Sequence, residues 1–257
     1  METSYIVGGI VLLLLLILFS VKYVVADKYT LREMLNAKIS ETVLESELSS
    51  QSGLSQNFTY SIWLYVNNWN YKNGEYKPIF GRFEGSTATD EKLTEYFDGI
   101  DACMLRTNID KDCDFNPSPV VTFDKVQNNI LIYIPCTYGE FKNPFKCEVR
   151  NIPIQKWVNF SMSVYNKTLD VYINGKLHKT CVMDSIPSIS NGDVHITPFG
   201  GFDGYTSKFQ FYPQALNPQE IWNIYSNGYG TLASTLGDYQ VKMSLIENGS
   251  ETNSLTI

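Results

Sequence analysis

The sequence predicts a mainly β protein: a two-sheet antiparallel sandwich preceded by one N-terminal transmembrane helix and a helical stalk. Three observations carry this. Apolar residues run almost unbroken from Ile6 to Ala26, recur every four residues from Leu31 to Val43, and alternate with polar residues from Phe58 onward. A continuous run marks a bilayer span, a four-residue period a helix with one apolar stripe, and a two-residue period half-buried strands. The 17 Tyr and 14 Phe among 257 residues also favour strands.

The anchor comes first, after a short flank at residues 1–5. Ile6–Ala26 is 21 residues long and is broken only by Gly8, Gly9, Ser20, Lys22 and Tyr23. About 20 residues cross the hydrocarbon core, and Lys22 lies where its stem reaches the headgroups. A cleaved signal peptide is the rival, with Val24-Val25-Ala26 as its small-residue site. The flank argues against it, carrying Glu2 and no Lys or Arg. Lys22 lies near the C-terminal end of the span, Lys28, Arg32 and Lys38 follow it and nothing basic precedes it, which puts the C-terminal body on the cytoplasmic side.

Residues 27–56 read as a helical stalk and Ser-rich linker. Leu31, Leu35, Ile39 and Val43 form one stripe, with Arg32, Glu33, Lys38, Glu41 and Glu45 on the other faces. Ser49-Ser50-Gln51-Ser52-Gly53 reads as flexible.

The body spans residues 57–230. Phe58, Tyr60, Ile62, Leu64 and Val66 alternate with Thr59, Ser61, Trp63 and Tyr65; Val158 to Val164 and Leu169 to Ile173 repeat the pattern. Asn174-Gly175 joins two of these strands, as a type I′ hairpin requires. Asn217-Pro218-Gln219-Glu220 reads as a capping box opening a helix to about Asn227, stopped by Gly228. Residues 231–257 form a tail in which Tyr239–Ile246 is expected to add a strand.

The order of these pieces resembles the concanavalin A-like lectin/glucanase (laminin G-type) superfamily. Trp157 opens a strand, and the next ends in Tyr172-Ile173-Asn174-Gly175. Gly200–Gly228 is similar to the family's closing strand and short helix, and Phe58–Trp69 to its first core strand. The resemblance implies a jelly-roll-like sandwich. One such fold hosts many functions. The insert from Glu84 to Pro119 departs from the family pattern.

Composition narrows the chemistry. A net charge of −7 without a Lys/Arg run excludes a nucleic-acid stripe. The hydrolytic members of the superfamily carry a Glu-x-Asp-x-(x)-Glu motif, and none is present here; His178 and His195 have no neighbouring Ser or Cys that would read as a triad. The expectation is therefore a non-enzyme without an obligate cofactor. Asp110, Asp112 and Asp114 alternate like a calcium loop. Phe115 and Val121 stand where an EF-hand needs Gly and Glu, leaving a weak Ca²⁺ site or a solvated acidic loop. Trp69, Asn70, Tyr71, Asn73 and Tyr76 place aromatic faces among amides, as a sugar site would, or simply cover one end of the sandwich. Cys103 with Cys113 and Cys136 with Cys147 bracket short loops as disulfide candidates; free thiols are the alternative, and Cys181 reads as a buried small hydrophobe.

Two partner classes follow. One is a protein shell tethered to a bilayer; by resemblance, membrane-anchored domains of this superfamily look like components of large double-stranded DNA virus particles, with an internal membrane under a capsid lattice. The other is a glycan, bound by a lectin or adhesin at a cell or virion surface.

Overall fold

The structure, a computed structural model, describes residues 29–49, 56–83, 118–138, 141–189, 192–230, 242–247 and 250–256. The segment 6–26 lies outside these residues. Among the described residues no helix is long and apolar enough to cross a membrane.

The elements are β1 (Thr30–Arg32), β2 (Leu35–Asn36), β3 (Glu41–Val43), α1 (Glu45–Ser49), β4 (Phe58–Asn68), β5 (Lys77–Phe83), β6 (Val120–Phe123), β7 (Ile130–Tyr138) and β8 (Phe141–Val149). They continue with β9 (Trp157–Tyr165), β10 (Thr168–Ile173), β11 (Lys176–Val182), β12 (Ile186–Pro187), β13 (Asp193–Ile196), β14 (Asp203–Tyr212), α2 (Pro218–Ser226), β15 (Lys242–Glu247) and β16 (Ser250–Thr256). One seven-stranded sheet runs β1-β14-β4-β9-β10-β11, with β2 also on β14; the other runs β12-β7-β6-β5-β13-β3, with β8 on β7. Every pairing in both sheets is antiparallel.

The predicted alternation builds the core. Tyr60, Ile62, Leu64, Phe160, Met162, Val171 and Phe209 of the first sheet meet Phe80, Val121, Ile132 and Val194 of the second. Tyr60 centres an aromatic knot, 5.2 Å from Phe80, 5.8 Å from Phe209 and 4.9 Å from Phe211. The Asn174-Gly175 turn has φ of 51° and 73°, as a type I′ hairpin demands. The capping box at α2 is also present, with the Asn217 side chain accepting from Gln219 and Glu220 backbone N–H groups.

Helix α2 and the segment before it cover part of the outer face of the first sheet, with Leu216 over Thr59 and Ser163 and Tyr225 over Trp63. The outward residues there are polar yet buried: Thr59, Ser61, Asn159, Ser161 and Ser163. They satisfy one another. Ser161 donates to Ser61 Oγ at 2.9 Å, Asn159 Nδ2 to Ser61 Oγ at 3.2 Å and Thr59 to Ser163 Oγ at 3.1 Å, and the Leu216 N–H reaches Thr59 Oγ1 at 3.0 Å. Each such bond contributes about 1 kcal/mol, and an orphaned buried partner would cost more. Asn159, which opens an Asn-Phe-Ser sequence, is 0% exposed.

Three expectations are corrected. The helical stalk is not helical: residues 30–43 form β1, β2 and β3, and only the short α1 is helix. The open edges at β14 and β13 reward strand pairing, which buries Ala37, Val43 and Leu48. A lone amphipathic helix buries nothing comparable. Ile39, part of the four-residue stripe, is 65% exposed. Arg32 locks the arrangement, bonded to Glu41 at 3.0 Å, Glu47 at 2.7 Å and the Thr42 carbonyl at 2.6 Å.

The second correction concerns cysteines. Cys147 is bonded to Cys181, and Cys136 is a buried free thiol. In the β7–β8 hairpin Cys136 faces Asn143 and Cys147 faces Ile132. Four residues of strand, roughly 13 Å, separate the original pair, too far for a bridge. The actual bond joins β11, an edge of one sheet, to β8, an edge of the other. Burial pushes the Cys136 thiol up to about 11, so it behaves as a core sulfur. Cys103 and Cys113 lie outside the described residues.

Third, the tail strand does not join either sheet. Among the described residues β15 pairs with β16 alone, as a separate two-stranded hairpin.

Cys181→Ser should lower unfolding free energy by about 2–4 kcal/mol under oxidising conditions, the usual worth of a cross-link across a loop of this size. A denaturation midpoint unchanged from wild type would contradict the observed pairing.

Candidate binding site

The loop from β4 to β5 carries the five predicted sugar-contact residues. Asn68 Oδ1 accepts the Asn70 N–H at 3.0 Å, starting the turn. Left-handed backbone at Lys72 (φ 50°) and Gly74 (φ 81°) completes it. Trp69 is half-buried, its ring edge-on to Phe123 at 5.6 Å and its indole N–H donating to the Val126 carbonyl at 3.1 Å. Lys77 Nζ lies 4.6 Å from the Trp69 ring centre. Lys77 is buried; desolvation lowers its pKa against the pull of Asp124 and Glu75.

The other aromatics of the loop also carry lysines. Lys38 stands 5.0 Å from the Tyr71 ring and Lys125 4.4 Å from the Tyr76 ring. Lys38 is also bonded to Asp203 at 2.9 Å. Asn70 and Asn73 are exposed. The structure thus brings the five together at one end of the sandwich, with Trp69 acting as a plug in the core's rim. A sugar stacking on Tyr71 or Tyr76 would have to replace a cation–π contact of roughly 0.5–1 kcal/mol.

A second aromatic group was missed in the sequence. Tyr205, Tyr65 and Trp157 are register partners across β14, β4 and β9, on the outer face not covered by α2. Tyr65 and Trp157 are 5.6 Å apart, and Tyr229 stacks on Trp157 at 4.5 Å and 12°. Tyr205 is 46% exposed and Tyr229 41%. The signal was available: Trp63 and Tyr65 occupy the polar parity of an alternating strand, where aromatic rings need a cover or a ligand. Trp63 has a cover, Tyr225 stacking on it at 5.5 Å.

His178 is on β11 of one sheet and His195 on β13 of the other. His195 is buried, with Nδ1 3.1 Å from Thr42 Oγ1 and its ring edge-on to Phe83. Burial lowers its pKa, opposed by Asp193. Among the described residues no group of three His, Cys, Asp or Glu side chains is placed to hold a metal. Asp110, Asp112 and Asp114 lie outside them.

No protein-family model matches the chain, and no curated protein matches it in sequence. Solved structures do match in fold. The receptor-binding domain of the botulinum neurotoxin C/D mosaic serotype aligns with a TM-score of 0.50 and 11% identity, over 79% of this chain and 44% of that one. An HCR/D point mutant aligns with a TM-score of 0.51 and 12% identity, over 76% and 42%. The binding domain of botulinum neurotoxin DC, solved with rat synaptotagmin II, gives 0.45 and 13%, over 73% and 39%. The chain spans less than half the length of each of these. At such identities the first two show a shared β-sandwich fold.

Trp69→Ala should destabilise the fold by about 2 kcal/mol, because the ring fills the rim of the core; a ring serving only as a ligand face would leave the denaturation midpoint unchanged. His195 generates a pH dependence. Its folded pKa lies below the ordinary value, so the unfolded chain takes the proton more readily, and its share of stability is lost as pH falls through about 6.5. His195→Gln should flatten that part of the stability–pH curve, and an unaltered slope would contradict the buried, neutral imidazole.

Proposed function

We propose that this chain is a membrane-anchored, non-enzymatic interaction module that ties a bilayer, entered through residues 6–26, to a protein partner. The setting suggested by the family resemblance is the internal membrane and capsid lattice of a large DNA virus particle. One observation carries the reading. Tyr29 already belongs to the sandwich, its ring 4.4 Å from Tyr212 and its carbonyl accepting the Phe211 N–H at 3.4 Å. Only Asp27 and Lys28 then separate the apolar segment from the sheet. So short a connection suits a tether that holds a domain at a fixed place on a membrane.

Two further facts support a binding role over a catalytic one. The sequence lacks the Glu-x-Asp-x-(x)-Glu motif of the superfamily's hydrolases, and one fold neighbour is the receptor-binding domain of the botulinum neurotoxin C/D mosaic serotype. Orientation rests on less than the sequence offered. Arg32 and Lys38 are paired inside the domain, leaving Lys22 and Lys28 as the basic flank for a cytoplasmic body. A disulfide is uncommon there; an assembly supplying its own thiol oxidase, as by resemblance a viral one does, reconciles the two.

A glycan-binding reading is favoured by the exposed rings of Tyr205 and Tyr229 beside the half-buried Tyr65. Full-length chain in nanodiscs, screened on a glycan array with and without Ca²⁺, separates the two. Absence of specific glycan binding by folded protein is the expected result. Specific binding lost in Tyr205→Ala would replace the protein tether with a lectin. The full chain is required, because a fragment beginning at Gln56 would lack β1, β2 and β3.

A further inference from the structure

The two ends of the sandwich are not equivalent. The chain enters at Tyr29, beside Tyr212, and Thr30 pairs with Gln210. It then runs antiparallel to β14, so that Asn36 pairs with Tyr205. The entry end is therefore the C-terminal end of β14. The register extends this across the sheet: Phe58 pairs with Val164, and Thr168 with both Tyr165 and Val182. At the other end Asp203 pairs with Asn68, which leads directly into the Trp69–Tyr76 loop. The ten residues of β14 separate the ends by about 30 Å at roughly 3.3 Å per residue.

We infer that the end of the sandwich bearing Tyr165, Lys167 and Val182 lies against the bilayer surface, and that the Trp69–Tyr76 end is presented away from it. The inference rests on the proposed span at residues 6–26. Ala26 and Tyr29 are three residue steps apart, at most about 11 Å, so Tyr29 cannot stand far from the headgroups. The surface at this end suits that place. Tyr165 and Val182 are 60% and 67% exposed and flank Thr168 in the sheet. Lys167 sits beside them, exposed, with Nζ donating to the Asp184 carbonyl at 3.0 Å. An exposed tyrosine with an aliphatic neighbour and a lysine is the composition that settles at a lipid–water interface. The consequence is functional: the aromatic–lysine loop becomes the outward tip, and a partner meets it some 30 Å above the membrane by the same strand arithmetic.

The test uses full-length chain reconstituted into phosphatidylcholine vesicles containing headgroup-spin-labelled lipid. A fluorophore is attached through a bioorthogonal side chain at position 165, 182, 36 or 73, one per sample. Carbonate-resistant flotation with the vesicles, and quenching several-fold stronger at 165 and 182 than at 36 and 73, is expected. Quenching at 36 or 73 equal to that at 165 would mean the sandwich lies on its edge or stands inverted, overturning the inference with the anchor intact. Weak quenching at all four positions in floating protein would overturn it too, showing a domain held off the surface. Release of the chain by carbonate would remove the span itself, and the inference with it.

Discussion

The pairing of β1 and β2 with β14 is the constraint on which the rest of the architecture depends. It satisfies the backbone along one edge of the first sheet, and β3 does the same for the second sheet at β13. The same short segment therefore closes an edge of both layers and brings Ala37, Val43 and Leu48 into the core. Arg32 holds the crossing from one layer to the other. Its guanidinium reaches two carboxylates and two carbonyls, and the Glu47 pairing draws the arginine pKa up and the glutamate pKa down. A partly exposed network of this kind contributes modest stability, while its geometry fixes where the chain enters the domain.

That point of entry gives direction to a fold that would otherwise have none. A sandwich of two similar sheets offers two ends, and loops at either can bind. Here one end receives the chain and the other carries Trp69, Tyr71 and Tyr76 beneath their lysines. Between them the outer face of the first sheet is divided. Its polar part is sealed by the segment before α2, whose Leu216 N–H donates to Thr59 Oγ1 and Ser163 Oγ, while Thr59 donates to Ser163 and Ser161 to Ser61 within the sheet. Its aromatic part stays partly open, with Tyr229 stacked over Trp157. The covered part is held rigid by its hydrogen bonds, and the open part leaves Tyr205 and Tyr229 exposed.

Local chemistry explains what could be read in the sequence. The Asn174-Gly175 turn and the Asn217–Glu220 cap are set by neighbouring residues alone, and both stand as expected. Two-residue alternation was legible because each strand buries one face over many residues. The stripe at Leu31, Leu35, Ile39 and Val43 misled because the segment forms three short strands, too brief for alternation to show, whose partners lie about 150–180 residues away. The Cys147–Cys181 bond has the same origin, since it joins edges of different sheets. Among the candidate site residues, the clustering of the loop followed from its sequence. The capture of Trp69 by Phe123 and the Val126 carbonyl did not, because both arrive from another strand and its turn.

The central claim, that residues 30–43 are strands of the sandwich, is tested most directly at one register pair. Asn36 and Tyr205 are exposed and opposite each other, and paired residues in an antiparallel ladder have Cα atoms about 4.5–5.5 Å apart, within disulfide reach. Full-length Asn36→Cys/Tyr205→Cys should form the 36–205 bond on mild oxidation, identified by peptide mapping, while Asn36→Cys/Tyr165→Cys should form none. Failure of the first pair to cross-link in folded protein would contradict the pairing, and with it the entry of the chain at the C-terminal end of β14.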